Sequence, residues 1–109
     1  MHTATRTICL EEHFATHKFL AGPGKSIVEQ ASRFGPAVSK LISVLTDLGD
    51  GRIAEMDSAG IDLSILSLTS PGTEQLGTSE AIELAIDAND LWVRRFLLCC
   101  NGLTSCRWR

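Results

Sequence analysis

The sequence predicts an α/β fold built on parallel strands. Two short apolar runs, one opening at Thr7 to Leu10 and one at Asp62 to Thr69, have the length and character of buried strands. The second carries Leu63, Ile65, Leu66 and Leu68 almost without interruption, which fits a parallel strand covered on both faces. Long stretches of helical spacing lie between the two runs and after the second. A strand, a helical crossover and a second strand make a right-handed βαβ unit.

Residues Met1 to Arg6 are polar and expected to fray. The first strand runs from Thr7 to Leu10 or a little beyond. A loop is predicted from Phe14 to Lys25, with Gly22-Pro23-Gly24 as the breaker. Ser26 and Glu29 have capping-box spacing, so a helix should start there and stop at Gly35. Pro36 suits the first turn of a second helix, whose apolar face is Val38, Leu41, Ile42, Leu45 and Leu48. Gly49-Asp50-Gly51 ends that helix, and Asp50 can cap a third that reaches Ala59. Gly60 stands where a left-handed C-cap is expected. After the second strand, Ser70-Pro71-Gly72 breaks the chain. Thr78 or Ser79 then caps a helix with Ala81, Leu84, Ala85, Ala88 and Leu91 on one face.

Beyond Asp90 the composition changes. Both tryptophans and Cys99, Cys100 and Cys106 crowd into the end of the chain, together with Arg94, Arg95, Arg107 and Arg109. Residues 1–90 therefore read as one unit, and 91–109 as a divergent tail, out of frame or from a mispredicted gene end.

Composition excludes several functions. The 109 residues have room for one domain, with ordinary hydrophobic and charged content. A net charge of −3, with acids and bases mixed along most of the chain, favours neither nucleic acid nor an anionic membrane. No apolar run approaches the ~20 residues of a membrane span, and no signal peptide is recognisable. Cys9 reads as a packed, reduced thiol facing away from the Glu11 and His13 pair that follows it. The C-C-x5-C spacing of the other cysteines fits neither a paired zinc motif nor a secreted disulfide framework. A reducing, cytoplasmic setting is the expectation.

The chemistry concentrates at Leu10-Glu11-Glu12-His13-Phe14. Alternation along a strand sets Glu11 and His13 on one side and Glu12 on the other. A carboxylate beside an imidazole at the end of an apolar strand is half of a divalent-metal site; a solvated strand end is the plainer alternative. Glu12 reads as an outward, salt-bridging residue, and His2 and His17 as surface histidines. Gly22-Pro23-Gly24-Lys25-Ser26 is not a phosphate loop, because Phe19 stands where that motif needs glycine and no strand immediately precedes it.

At Leu10-Glu11-Glu12-His13-Phe14-Ala15-Thr16 the chain resembles the amidohydrolase-related decarboxylases. That group includes the 2,3-dihydroxybenzoate, γ-resorcylate and aminocarboxymuconate-semialdehyde decarboxylases. The stretches Arg52 to Asp62, Leu66 to Gly72 and Ala88-Asn89-Asp90 are similar to the same family, in the expected order. The resemblance implies the opening βαβα portion of a TIM-like barrel, truncated here, since such barrels usually take ~250 residues. It implies zinc or manganese at the C-terminal ends of the strands. Glu11 and His13 would be two ligands, with a later His and Asp completing the set. It further implies metal-dependent, non-oxidative decarboxylation of a small hydroxybenzoate-type acid.

Thr69, Ser70 and Pro71 would line the substrate side of the barrel mouth or form a plain turn, and the sequence does not choose between them. Hydrolysis is the alternative chemistry; the hydrolytic relatives more typically open with H-x-H, so Glu11 leans toward decarboxylation. With two ligands, the chain should hold metal weakly and be inactive alone. Alternatively it is a non-catalytic piece that binds a full-length relative, or its own copies, through open sheet edges.

Overall fold

The computed structural model describes residues 5–101, with side chains through residue 95. The elements are β1 (Ile8–Phe14), α1 (His17–Ala21), α2 (Lys25–Phe34), α3 (Pro36–Thr46), α4 (Asp50–Ala59), β2 (Leu63–Leu68) and α5 (Thr78–Asn101). The two strands pair in parallel, joined by the helical crossover that the sequence predicts. His2, Cys106, Arg107, Trp108 and Arg109 lie outside the described residues. Among the described residues, no helix is long and apolar enough to cross a membrane.

β1 continues past Leu10 through Glu11, Glu12 and His13 to Phe14. Its backbone finds partners on β2, with Glu12 opposite Leu66, His13 opposite Ser67 and Phe14 opposite Leu68. Ladder hydrogen bonds satisfy the main chain there, so polar side chains do not end the strand. The register slips between Cys9 and Glu12, where β1 carries one residue more than β2. This bulge resets the alternation of the strand.

The loop expected from Phe14 to Lys25 contains a helix instead. Thr16, 2% exposed, caps α1 by accepting a hydrogen bond from the Phe19 backbone N–H at 3.0 Å. The turn of α1 carries Phe19 and Leu20 into the core, where Ala15, Phe19, Leu20 and Leu84 are buried together. Ile27, Ile42, Leu45, Leu68 and Leu76 close around them. Burial of Phe19 accompanies this helix, and the Gly22-Pro23-Gly24 breaker lies just past its end.

α2 starts one residue before the expected cap at Ser26. Its N-cap is Gly24, with no side-chain cap bond. The Gly24 and Lys25 N–H groups are already taken by the Phe19 and Gly22 carbonyls, at 2.9 and 3.0 Å. Pro36 opens α3, and Asp47 leaves the helix in an extended conformation, so Leu48 falls outside it. α4 begins at Asp50 with Gly49 as its N-cap, so Asp50 is a first-turn acid rather than the cap. Gly60 adopts φ 69° and closes α4, as the sequence predicts.

α3 packs on β1, α2 on α3, and α1 between α2 and α5. The opposite sheet face is bare. Leu10 is 70% exposed and Ile65 51%, and Ile8 and Leu63 are exposed as well. β2 is thus not covered on both faces among the described residues, although its sequence is that of such a strand. α5 runs to Asn101, so the boundary expected at Asp90 falls inside a helix.

Candidate functional site

Glu11 and His13 stand near the C-terminal end of β1, and both side chains are exposed. His13 lies directly opposite Ser67 in the parallel register, and 3.3 Å separates His13 Nδ1 from Ser67 Oγ. Alternation along β2 sets Ser67 on the side of Leu63 and Ile65, so His13 belongs to the bare face of the sheet. Its Nε2 is the nitrogen turned away from Ser67. Sequence reasoning did not single out Ser67; it became relevant only through the register of two segments 54 positions apart.

Glu12 belongs to the other, helix-covered side. Its Oε2 lies 3.7 Å from Arg52 Nη1, so the expected salt bridge forms, but on the half-buried, covered side and not outward in solvent. The Cys9 thiol donates to Glu12 Oε1 at 3.3 Å. The neighbouring Glu12 carboxylate, and after it burial, push the Cys9 thiol above its usual range. Strict alternation would put Cys9 on the side of Glu11 and His13. The bulge sends it to the side of Glu12 instead, and there it is a free, half-buried thiol.

Parallel pairing brings the end of β2 beside the end of β1. The Thr69 N–H donates to the Phe14 carbonyl at 2.9 Å, and the Gly72 N–H returns to the Thr69 carbonyl at 2.9 Å. Ser70 is exposed, and the Ser70-Pro71 peptide is cis. Pro71 lines a cavity of about 500 Å³ with Phe14, Leu66, Leu68, Ala88 and Asn89, between the strand ends and α5. Neither Glu11 nor His13 lines it. The fold therefore brings Thr69, Ser70 and Pro71 to the same end of the sheet as Glu11 and His13, without joining them in one pocket. His17 is exposed at the start of α1.

A carboxylate oxygen and an imidazole nitrogen are donors that suit zinc or manganese. Among the described residues, no group of three or more His, Cys, Asp or Glu side chains is placed to hold a metal ion. The donor chemistry of Glu11 and His13 suits a divalent cation.

No profile of a known protein family matches the chain. The γ-resorcylate decarboxylase of Polaromonas sp. strain JS666 is 40% identical over 89 aligned positions, covering 76% of this chain and 24% of that protein. A dihydroxybenzoic acid decarboxylase structure from Polaromonas sp. JS666, with bound manganese and the inhibitor 2-nitroresorcinol, superposes with a TM-score of 0.65 at 34% identity. That match covers 84% of this chain and 26% of the other. The 5-carboxyvanillate decarboxylase of Novosphingobium aromaticivorans, with manganese and 3-methoxy-4-hydroxy-5-nitrobenzoic acid, superposes with a TM-score of 0.67 at 35% identity. There the match covers 79% of this chain and 29% of the other. The chain spans about a quarter of the length of the relatives it matches.

Proposed function

This chain belongs to the amidohydrolase-related decarboxylases of aromatic acids, and on that premise we propose that it carries part of a metal-dependent decarboxylation site. Glu11 and His13 are two ligands of a divalent cation, manganese or zinc. The substrate is a small hydroxybenzoate-type acid. The β1–β2 unit is the opening portion of a TIM-like barrel, in which sites gather at the C-terminal strand ends. Residues 1–90 form that portion, and 91–109 are a divergent tail.

The observation that carries this reading is the position of His13. It sits at the C-terminal end of a parallel strand, on the bare sheet face, with its Nδ1 against Ser67. When Nδ1–H donates to the Ser67 hydroxyl, the Nε2 lone pair is set to bind a cation. Glu11 supplies an anionic oxygen two residues away. A bound cation contributes Lewis-acid stabilisation of negative charge on the substrate oxygens. Thr69, Ser70 and Pro71 border the strand ends and line the substrate side.

The 109 residues tested alone should hold metal weakly and give no turnover, since a catalytic zinc site normally takes three protein ligands. The test has two arms. Manganese titration of the chain, followed by loss of the free-ion paramagnetic resonance signal, should show binding that disappears in Glu11→Ala and His13→Ala. Equal uptake by both variants would sink the ligand assignment. Sequencing the transcript and locus beyond codon 90 in every frame should reveal further strands with a later His and Asp. Carbon dioxide release from γ-resorcylate by the chain so completed separates decarboxylation from hydrolysis.

A second reading follows from the exposed Leu10 and Ile65 on the bare sheet face. Such a face and open strand edges invite association, with a longer relative or with copies of the chain itself.

A further inference from the structure

We propose that Arg52 is a positioning residue for the Glu11–His13 pair, holding the backbone of His13 against the C-terminal end of α3. This rests on the reading of Glu11 and His13 as metal ligands. Arg52 lies 39 positions after His13, on α4, with its side chain 12% exposed. Its Nε donates to the Asp47 carbonyl at 2.7 Å. Its Nη2 donates to the His13 carbonyl and to the Val44 carbonyl, each at 3.1 Å. Its Nη1 faces Glu12 Oε2 at 3.7 Å.

Three of these partners are backbone oxygens, one from β1 and two from the end of α3. Val44 and Asp47 lie at the C-terminal end of α3, where a cation is favoured. The planar guanidinium offers donors in fixed directions, so it can bind both groups at once. A lysine, with one point charge on a flexible stem, cannot reproduce that geometry. Beside it, the Ala15 N–H donates to the Leu45 carbonyl at 2.9 Å, so the chain is tied to α3 on the far side of Phe14 as well. Arg52 is the tie nearest His13. It also pairs with Glu12, whose carboxylate the strand register already sets on the covered side.

The test compares Arg52→Gln and Arg52→Lys with wild type and with His13→Ala, all in the 109-residue chain. Ala31→Gly serves as a lesion in the buried face of α2, remote from His13. Two quantities are read: manganese affinity by paramagnetic resonance, and the His13 ring and Phe14 amide resonances without metal. Loss of a group supporting a metal ligand typically weakens binding about 10- to 100-fold, and Arg52→Gln should do so. It should also shift the His13 resonances, with Arg52→Lys intermediate. Ala31→Gly should lower the melting temperature and leave both quantities in place.

Unchanged His13 resonances and affinity in Arg52→Gln would overturn the proposal, as would an equal change in Ala31→Gly. If wild type takes up no more manganese than His13→Ala, the ligand reading fails. The metal-free resonances still decide whether Arg52 positions His13. Should Arg52→Gln not fold, Arg52→Lys carries the same comparison.

Discussion

His13 and Ser67 face each other across the β1–β2 ladder, with His13 Nδ1 3.3 Å from Ser67 Oγ. On the proposed ligand reading, an Nδ1–H that donates to Ser67 leaves Nε2 for the cation. In Ser67→Ala the ring loses the partner that favours the Nδ1–H form. Manganese affinity should drop by about 10-fold, the lower end of the range for such contacts. Nitrogen chemical shifts of the ring should show the tautomer balance moving. An unaltered tautomer and affinity would mean that the contact is incidental.

Cys9 and Glu12 give a pH-dependent prediction. The folded thiol is held above its usual range, first by the Glu12 carboxylate and then by burial. A group with a raised folded pKa contributes stability that is fully present below the unfolded thiol value, about 8.5. That contribution is lost as pH rises through the folded value. Stability measured in urea should therefore decline across the alkaline range. Glu12→Gln should lower the thiol pKa and speed alkylation of Cys9 by iodoacetamide near pH 8.5, the usual thiol value. Slower or unchanged alkylation would contradict the hydrogen bond.

Gly24 is predicted to resist substitution. A Cβ there would collide with the ring of Phe19, which is fully buried and has nowhere to retreat. Gly24→Ala should destabilise the fold by about 1–3 kcal/mol, the usual range for overpacking. Thermal melting checks this, and a melt matching wild type would show that the ring has room to move.

The bare sheet face should drive association. Leu10 is 70% exposed on β1, and Ile8 and Ile65 are exposed nearby. Leu10→Lys should reduce self-association in sedimentation velocity, because a charge at an exposed strand position opposes packing and strand addition. If the two proteins sediment alike at matched concentration, the face is not an association surface.

Much of the fold could be read from local spacing. Pro36 opens α3, Gly60 takes the left-handed conformation that closes α4, and β2 carries its apolar run between Asp62 and Thr69. The acid–imidazole pair was visible because Glu11 and His13 are neighbours on one strand. α1 was not visible, because Thr16 caps it only once Phe19 is drawn into the core. Cys9 does face away from Glu11 and His13, as expected, but it is the bulge that puts it there, and a bulge depends on how two distant strands align.

The sequence by itself determined the α/β class, the helical crossover between two apolar strands, and a carboxylate and an imidazole in place on the first of them. Each depends on residues within a few positions of one another, so spacing and chemistry suffice. Only the tertiary structure decided that Ser67 faces His13, that Arg52 ties His13 to α3, and that a bulge sets Cys9 beside Glu12. These contacts join residues 54 and 39 positions apart or depend on the β1–β2 register. Side-chain partners at that separation are set by which backbones pair and how they are offset, and no local pattern encodes that offset.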